Sequence, residues 1–194
     1  YSSLLMSILA TGISGKNIAM PVTSTCFSIL NAVKSSGNNP VFIDVNLEDA
    51  NMSISSLQNE ISNKKIQLII SPNHFGNNSN VNAMKKLGIP VIEDCAQSFF
   101  TSTLRKSRAD IRVLSFYPTK VINAIDGGAI LTNNKKYDSF IRERIYYGNQ
   151  LKNDGIVRFN FRMPNLHSAV GLGSLSMRKK FNSKFGRIKQ IYHS

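Results

Sequence analysis

Carboxylates are scarce in this sequence: 11 Asp plus Glu stand against 24 Lys plus Arg, for a formal charge of +13. Charge of either sign is in fact thin, at 18% of residues against 42% apolar, which argues against intrinsic disorder and for a folded domain. Thiols are scarcer still. Cys26 and Cys95 are the only two, too few for a disulfide framework, and neither stands in the Cys-x-x-Cys spacing of metal or redox sites. A reducing cytoplasm is the expected compartment, which makes the glycosylation sequons at Asn51 and Asn77 chance matches. Also missing is any run of about 18 uncharged apolar residues, so no membrane-spanning helix and no membrane partner are expected. Tyr1 to Ala10 is apolar, but it lacks the basic leading segment and small-residue cleavage site of a signal peptide. Internal repeats and low-complexity linkers are absent too. What remains is 194 residues, a length that suits one domain with a sizeable core.

The positive charge is unevenly spread. Arg178, Lys179, Lys180, Lys184, Arg187 and Lys189 fall in the last seventeen positions, where there is no carboxylate. A basic stripe is the electrostatic footprint of nucleic-acid binding. No recognition motif accompanies it, and a solvated helix face or attraction for a small phosphorylated ligand explains the charge as well. Nucleic-acid binding therefore stays the lesser alternative.

Two periodicities alternate along the chain. Ser2 to Leu9 has a helical pattern, and Ser24 to Lys34 carries Cys26, Ile29, Leu30 and Val33 on one helical stripe. Pro40 to Val45 is a short buried run, Leu57 to Ile61 is helix-like, and Ile66 to Ser71 is continuous and β-branched. Val81 to Leu87 is again helix-like, and Pro90 to Glu93 is another short strand. This βαβ rhythm predicts an α/β fold, a three-layer sandwich in which a mostly parallel sheet is flanked by helices. Ile111 to Phe116 reads as a further strand, and Gly128 to Thr132 as one that can run antiparallel to its neighbour. Lys135 to Tyr147 is a charged amphipathic helix. From Pro164, apolar residues recur at three, four or seven positions, which predicts one long helix to the final residue. The expected organisation is a single large domain over 1–194, incomplete at both ends.

In an open parallel α/β sheet, ligands bind outside the carboxyl ends of the strands. Three segments qualify: Pro72-Asn73-His74, Glu93-Asp94-Cys95-Ala96-Gln97 and Ser115-Phe116-Tyr117-Pro118-Thr119-Lys120. In the last, a hydroxyl and an amine five positions apart, on a turn stiffened by Pro118, can hold a phosphate and a nucleophilic nitrogen in one site. By itself that segment reads equally as a loop with a surface lysine, and Asp94 alone as a helix cap. One strand-length connection separates the two, so both can reach one edge of the sheet. His74, His167 and His193 are too scattered for a metal site, and no metal is expected.

The ordered stretches Pro40-Val41-Phe42-Ile43-Asp44, Pro90 to Gln97, Ser115 to Lys120, Asp126-Gly127-Gly128-Ala129 and Phe159-Asn160-Phe161-Arg162-Met163 resemble the DegT family of pyridoxal-phosphate-dependent aminotransferases. These are fold-type-I enzymes acting on nucleotide-linked keto sugars. The resemblance runs over essentially the whole chain and implies pyridoxal 5'-phosphate as cofactor. It implies that Lys120 bonds covalently to the cofactor aldehyde and moves the substrate proton. Asp94 would face the pyridine nitrogen and keep it protonated. Gln97 would donate to the ring hydroxyl oxygen, while Ser115 and Ser2, the latter at a helix amino terminus, would hold the phosphate. Asn160 would reach the phosphate of a neighbouring subunit, which implies a homodimer.

Cys26 stands where the family often stacks an aromatic ring on the cofactor, with Phe27 adjacent; Ile125 stands where a glycine is usual, and Tyr1 where a small hydroxyl residue is. Family members are longer, and a carboxy-terminal small domain is expected beyond this sequence. The activity implied is transfer of an amino group from glutamate to a nucleotide-diphosphate keto sugar, for cell-surface polysaccharide or secondary-metabolite synthesis. Relatives that replace the lysine with histidine run dehydrations, so Lys120 argues for transamination. The alternative is a truncated or degenerate relative that folds and dimerises without turnover.

Overall fold

A computed structural model describes residues 1–22, 26–99, 107–147 and 154–193. Ser24, the expected start of the second helix, and the side chain of His193 lie outside the described residues. In chain order the elements are α1 (Ser2–Ala10), β1 (Asn17–Pro21), α2 (Phe27–Ser35), β2 (Asn39–Ile43), α3 (Ile54–Asn63) and β3 (Ile66–Pro72). Then come α4 (Val81–Lys85), β4 (Val91–Asp94), β5 (Ile111–Ser115), β6 (Gly128–Leu131), α5 (Lys135–Arg144), α6 (Asn165–Ser176) and α7 (Arg178–His193).

The strands form one sheet in the order β2-β1-β3-β4-β5-β6. The first five are parallel, and β6 pairs antiparallel with β5, as its position after a glycine-rich turn predicts. Alternation along each strand divides the core in two. Ile18, Met20, Leu68, Ile70, Ile92, Ile111 and Val113 point to the face covered by Leu4, Leu5 and Ile8 of α1 and Ile29, Ala32 and Val33 of α2. Ala19, Val41, Ile43, Ile69 and Val91 point to the other, under Leu57 of α3 and Val81 and Met84 of α4. Each of the Val, Leu, Ile and Met side chains among these, fully buried, contributes about 1.5–3 kcal/mol of transfer free energy. The three-layer α/β expectation therefore holds.

Two elements depart from the sequence reading. β1 is an interior strand, flanked by β2 and β3, yet Asn-Ile-Ala-Met-Pro contains one β-branched residue and ends on proline, so strand propensity does not mark it. The long carboxy-terminal helix is two helices. Met177 adopts φ −83°, ψ 0°, and its N–H turns back to the Ser174 carbonyl, breaking the ladder between α6 and α7. Gly171, Gly173, Ser174 and Ser176 are weak helix formers crowded before that break, whereas the apolar spacing continues across it and conceals it.

Candidate active site

Strand alternation selects which side chains meet at the carboxyl edge. Pro72 lies two residues beyond Ile70, Asp94 two beyond Ile92, and Ser115 two beyond Val113, so all three emerge on the α1/α2 face. Register brings Pro72 opposite Asp94 on neighbouring strands. The amino termini of α1 and α2 converge there, each with the positive end of its helix dipole toward the same space, and neither Tyr1 nor Cys26 caps its helix with a side-chain hydrogen bond. That space is a cavity of about 680 Å³ lined by Ser2, Cys26, Asp94, Gln97, Ser115, Lys120 and Asn160, among others. All seven residues singled out in the sequence thus share one cavity, with Lys120 and Asp94 on its walls. Asn160, expected to serve a neighbouring subunit, lines the cavity of its own chain.

Asp94 is 7% exposed and accepts the Ala96 N–H on Oδ1 at 3.0 Å. Burial pushes its carboxyl above the ordinary carboxylate range, an effect that the Ala96 N–H and the Lys120 ammonium only partly offset. Such a carboxyl is stabilised in its charged form by a ligand that brings an N–H cation. Lys120 is half-buried at the end of a turn, its N–H donating to the Tyr117 carbonyl at 2.9 Å. The Ser115 hydroxyl oxygen accepts the Tyr117 N–H at 3.4 Å, which leaves its O–H to donate. Gln97 Oε1 accepts the Phe75 N–H at 2.8 Å, so its amide NH2 is the end left for a ligand.

Cys26 is exposed at the start of α2, and the Ser28 hydroxyl and N–H hold its thiol below the usual thiol range. Phe27 is 77% exposed and does not line the cavity, so it does not substitute for a stacking ring. Ile125 has φ +67°, a left-handed conformation that a β-branched residue strains to adopt and glycine adopts freely. Gly127 and Gly128 form a cradle. A Cβ on Gly128 would meet the Leu114 carbonyl oxygen at 2.6 Å and Ser3 Oγ at 2.7 Å, filling the space between β6 and the first turn of α1.

His74, in one of the three segments that the sequence places at the carboxyl ends of strands, also lines the cavity. Its ring is buried, neither ring nitrogen has a partner among the described residues, and burial lowers its pKa. The turn that carries it is held by Asn51 Oδ1, which accepts the His74 N–H at 3.1 Å, and by Gln97 on the left-handed Phe75. Its place directly after β3 was the signal that marked it; scattered histidine spacing concealed it. Among the described residues no helix is long and apolar enough to cross a membrane.

Comparison with known proteins agrees with this geometry. The chain is 32% identical over 202 residues to GDP-perosamine synthase of Escherichia coli O157:H7, an alignment that covers 98% of this chain and 55% of the relative. Its fold superposes with a TM-score of 0.79 and 26% identity on an aminotransferase from Brucella abortus, over 90% of this chain and 51% of that one. With ntda from Bacillus subtilis, solved with bound cofactor PMP, the TM-score is 0.78 at 28% identity, over 88% and 41%. The chain spans about half the length of the relatives it matches. The model of the DegT/DnrJ/EryC1/StrS aminotransferase family matches residues 2–194: this chain belongs to that family.

Proposed function

We propose that the protein is a pyridoxal-phosphate-dependent aminotransferase that moves an amino group from glutamate to a keto sugar carried on a nucleotide diphosphate. The observation that carries this reading is the sharing of one cavity by Lys120, Asp94 and the amino termini of α1 and α2. Relatives named for GDP-linked, dTDP-linked and UDP-linked amino sugars support the substrate class. When bound, the cofactor supplies an aldehyde for covalent capture and a protonated ring that withdraws electrons from the substrate carbon.

The chain's own residues do the rest. Lys120 would provide the amine that bonds the cofactor and the base that carries a proton to and from the substrate carbon. The Asp94 carboxylate holds the proton on the ring nitrogen, which is the cationic N–H its burial calls for. Gln97 donates from its free NH2 to the ring hydroxyl oxygen. The Ser115 hydroxyl and the N–H groups at Ser2 hold the phosphate, and Gly128, with no Cβ, lets the first turn of α1 pack against β6 beside it. Cys26 lies against the cofactor, and Asn160 reaches toward the phosphate of a second subunit in a homodimer. The chain thus acts as the cofactor-binding large domain, in the cytoplasm.

Titrating the protein with pyridoxal phosphate tests this. A new visible absorbance band is expected for the wild type and none for Lys120→Ala; identical spectra from the two proteins would overturn the assignment.

A further inference from the structure

Lys120 sits in a loop that a distant helix braces. After β5 the chain leaves the sheet at Phe116 and returns at Gly127, the Phe116 N–H donating to the Gly127 carbonyl at 2.9 Å. Within the loop Ile122 and Ala124 are buried, and the Ala124 N–H donates back to the Phe116 carbonyl at 2.8 Å. The next residue, Ile125, is in the left-handed region. A β-branched residue stays there only when its surroundings over-determine it.

Those surroundings include α6, some fifty residues further along the chain. Ser174 Oγ accepts the Asn123 N–H at 3.2 Å, three residues beyond Lys120. Gly171 approaches so closely that a Cβ on it would lie 3.1 Å from the Ala124 Cβ. The Met163 side chain lies against Gly127, where an added Cβ would come within 3.4 Å of its Cγ, and its methyl would also meet a Cβ on Gly171 at 3.8 Å. α6 buries none of its own residues and leaves Leu166 and Leu172 exposed. Its contact with the loop is therefore made through small residues at close range and not through an apolar core.

We propose that Gly171 and Ser174 are positioning residues for Lys120: by fixing Asn123 and Ala124, α6 sets where the amine stands relative to Asp94. The inference rests on the covalent role given to Lys120 above. Placement of this kind matters because displacing a reacting group by about 1 Å can lower its effectiveness about 100-fold. A Cβ at Gly171 pushes Ala124 by a few tenths of an ångström, and removing the Ser174 hydroxyl frees the Asn123 N–H, so two unrelated changes strain the same tether.

A double-mutant cycle distinguishes positioning from ordinary packing. Equilibrium dialysis measures pyridoxal phosphate affinity for Ser174→Ala, Gly171→Ala and Ser174→Thr, each made in the wild type and in Lys120→Ala, with a Tm for every variant. With Lys120 present, Ser174→Ala and Gly171→Ala are expected to weaken binding about 3- to 10-fold, and Ser174→Thr, which keeps the hydroxyl, to restore it. In the Lys120→Ala background, where binding is noncovalent, the same changes are expected to alter affinity by less than about twofold. Equal weakening in both backgrounds, or none in either, overturns the proposal. If the wild type binds no more tightly than Lys120→Ala, the covalent role of Lys120 fails and this inference falls with it.

Discussion

Asp94 is a carboxyl withdrawn from water with one backbone N–H on its Oδ1, and its raised pKa is a statement about stability as well as chemistry. Between the ordinary carboxylate value of about 4 and the raised value, the native state binds more protons than the unfolded chain. Stability of the cofactor-free protein therefore falls as pH rises through that window. Asp94→Asn removes the effect. It is expected to raise the Tm at neutral pH by about 2–4 °C, for a gain on the order of 1 kcal/mol. The gap should close as pH falls below about 4. The same substitution should weaken pyridoxal phosphate binding, because an amide cannot hold a proton on the ring nitrogen. A variant less stable than wild type at neutral pH would contradict this account of the residue. Its place was legible in the sequence: the end of an apolar strand marked the segment, and the resemblance picked the side chain. The inward turn of His74 was not legible, because it depends on Asn51 and Gln97 reaching a left-handed turn from elsewhere in the chain.

At the scale of the element, the proposed phosphate site rests on the helix amino termini that line the cavity. Tyr1 makes no side-chain cap at the start of α1, so among the described residues the first N–H groups of that helix are left for a ligand. Ser2→Asp separates stability from binding. A carboxylate in the first turn favours the helix by about 0.3–1 kcal/mol, but it competes with and repels a phosphate. A slightly higher Tm, with pyridoxal phosphate bound about 10-fold more weakly, is expected by dialysis, tenfold being about 1.4 kcal/mol. Unchanged affinity would mean that α1 does not hold the phosphate. Most elements were readable from periodicity. β1 was not, since a strand of Asn, Ile, Ala, Met and Pro owes its existence to the neighbours β2 and β3 on either side. Nor was the contact of Gly171 with Ala124, which no local pattern encodes.

Across the whole molecule, one face of a parallel sheet gathers residues from positions 1 to 164 around a single cavity, which is why composition and charge said so little about it. The +13 charge has its densest run on α7, far along the chain from Asp94 and Lys120. The open apolar positions of α6, Leu166 and Leu172 among them, leave surface for the pairing of subunits proposed above. All of this depends on which amine the cofactor takes. Borohydride reduction of the protein mixed with pyridoxal phosphate, followed by peptide mass spectrometry, identifies that amine directly. The account predicts one reduced adduct, on the peptide carrying Lys120, absent from Lys120→Ala. Adducts scattered over surface lysines with Lys120 unmodified would contradict it.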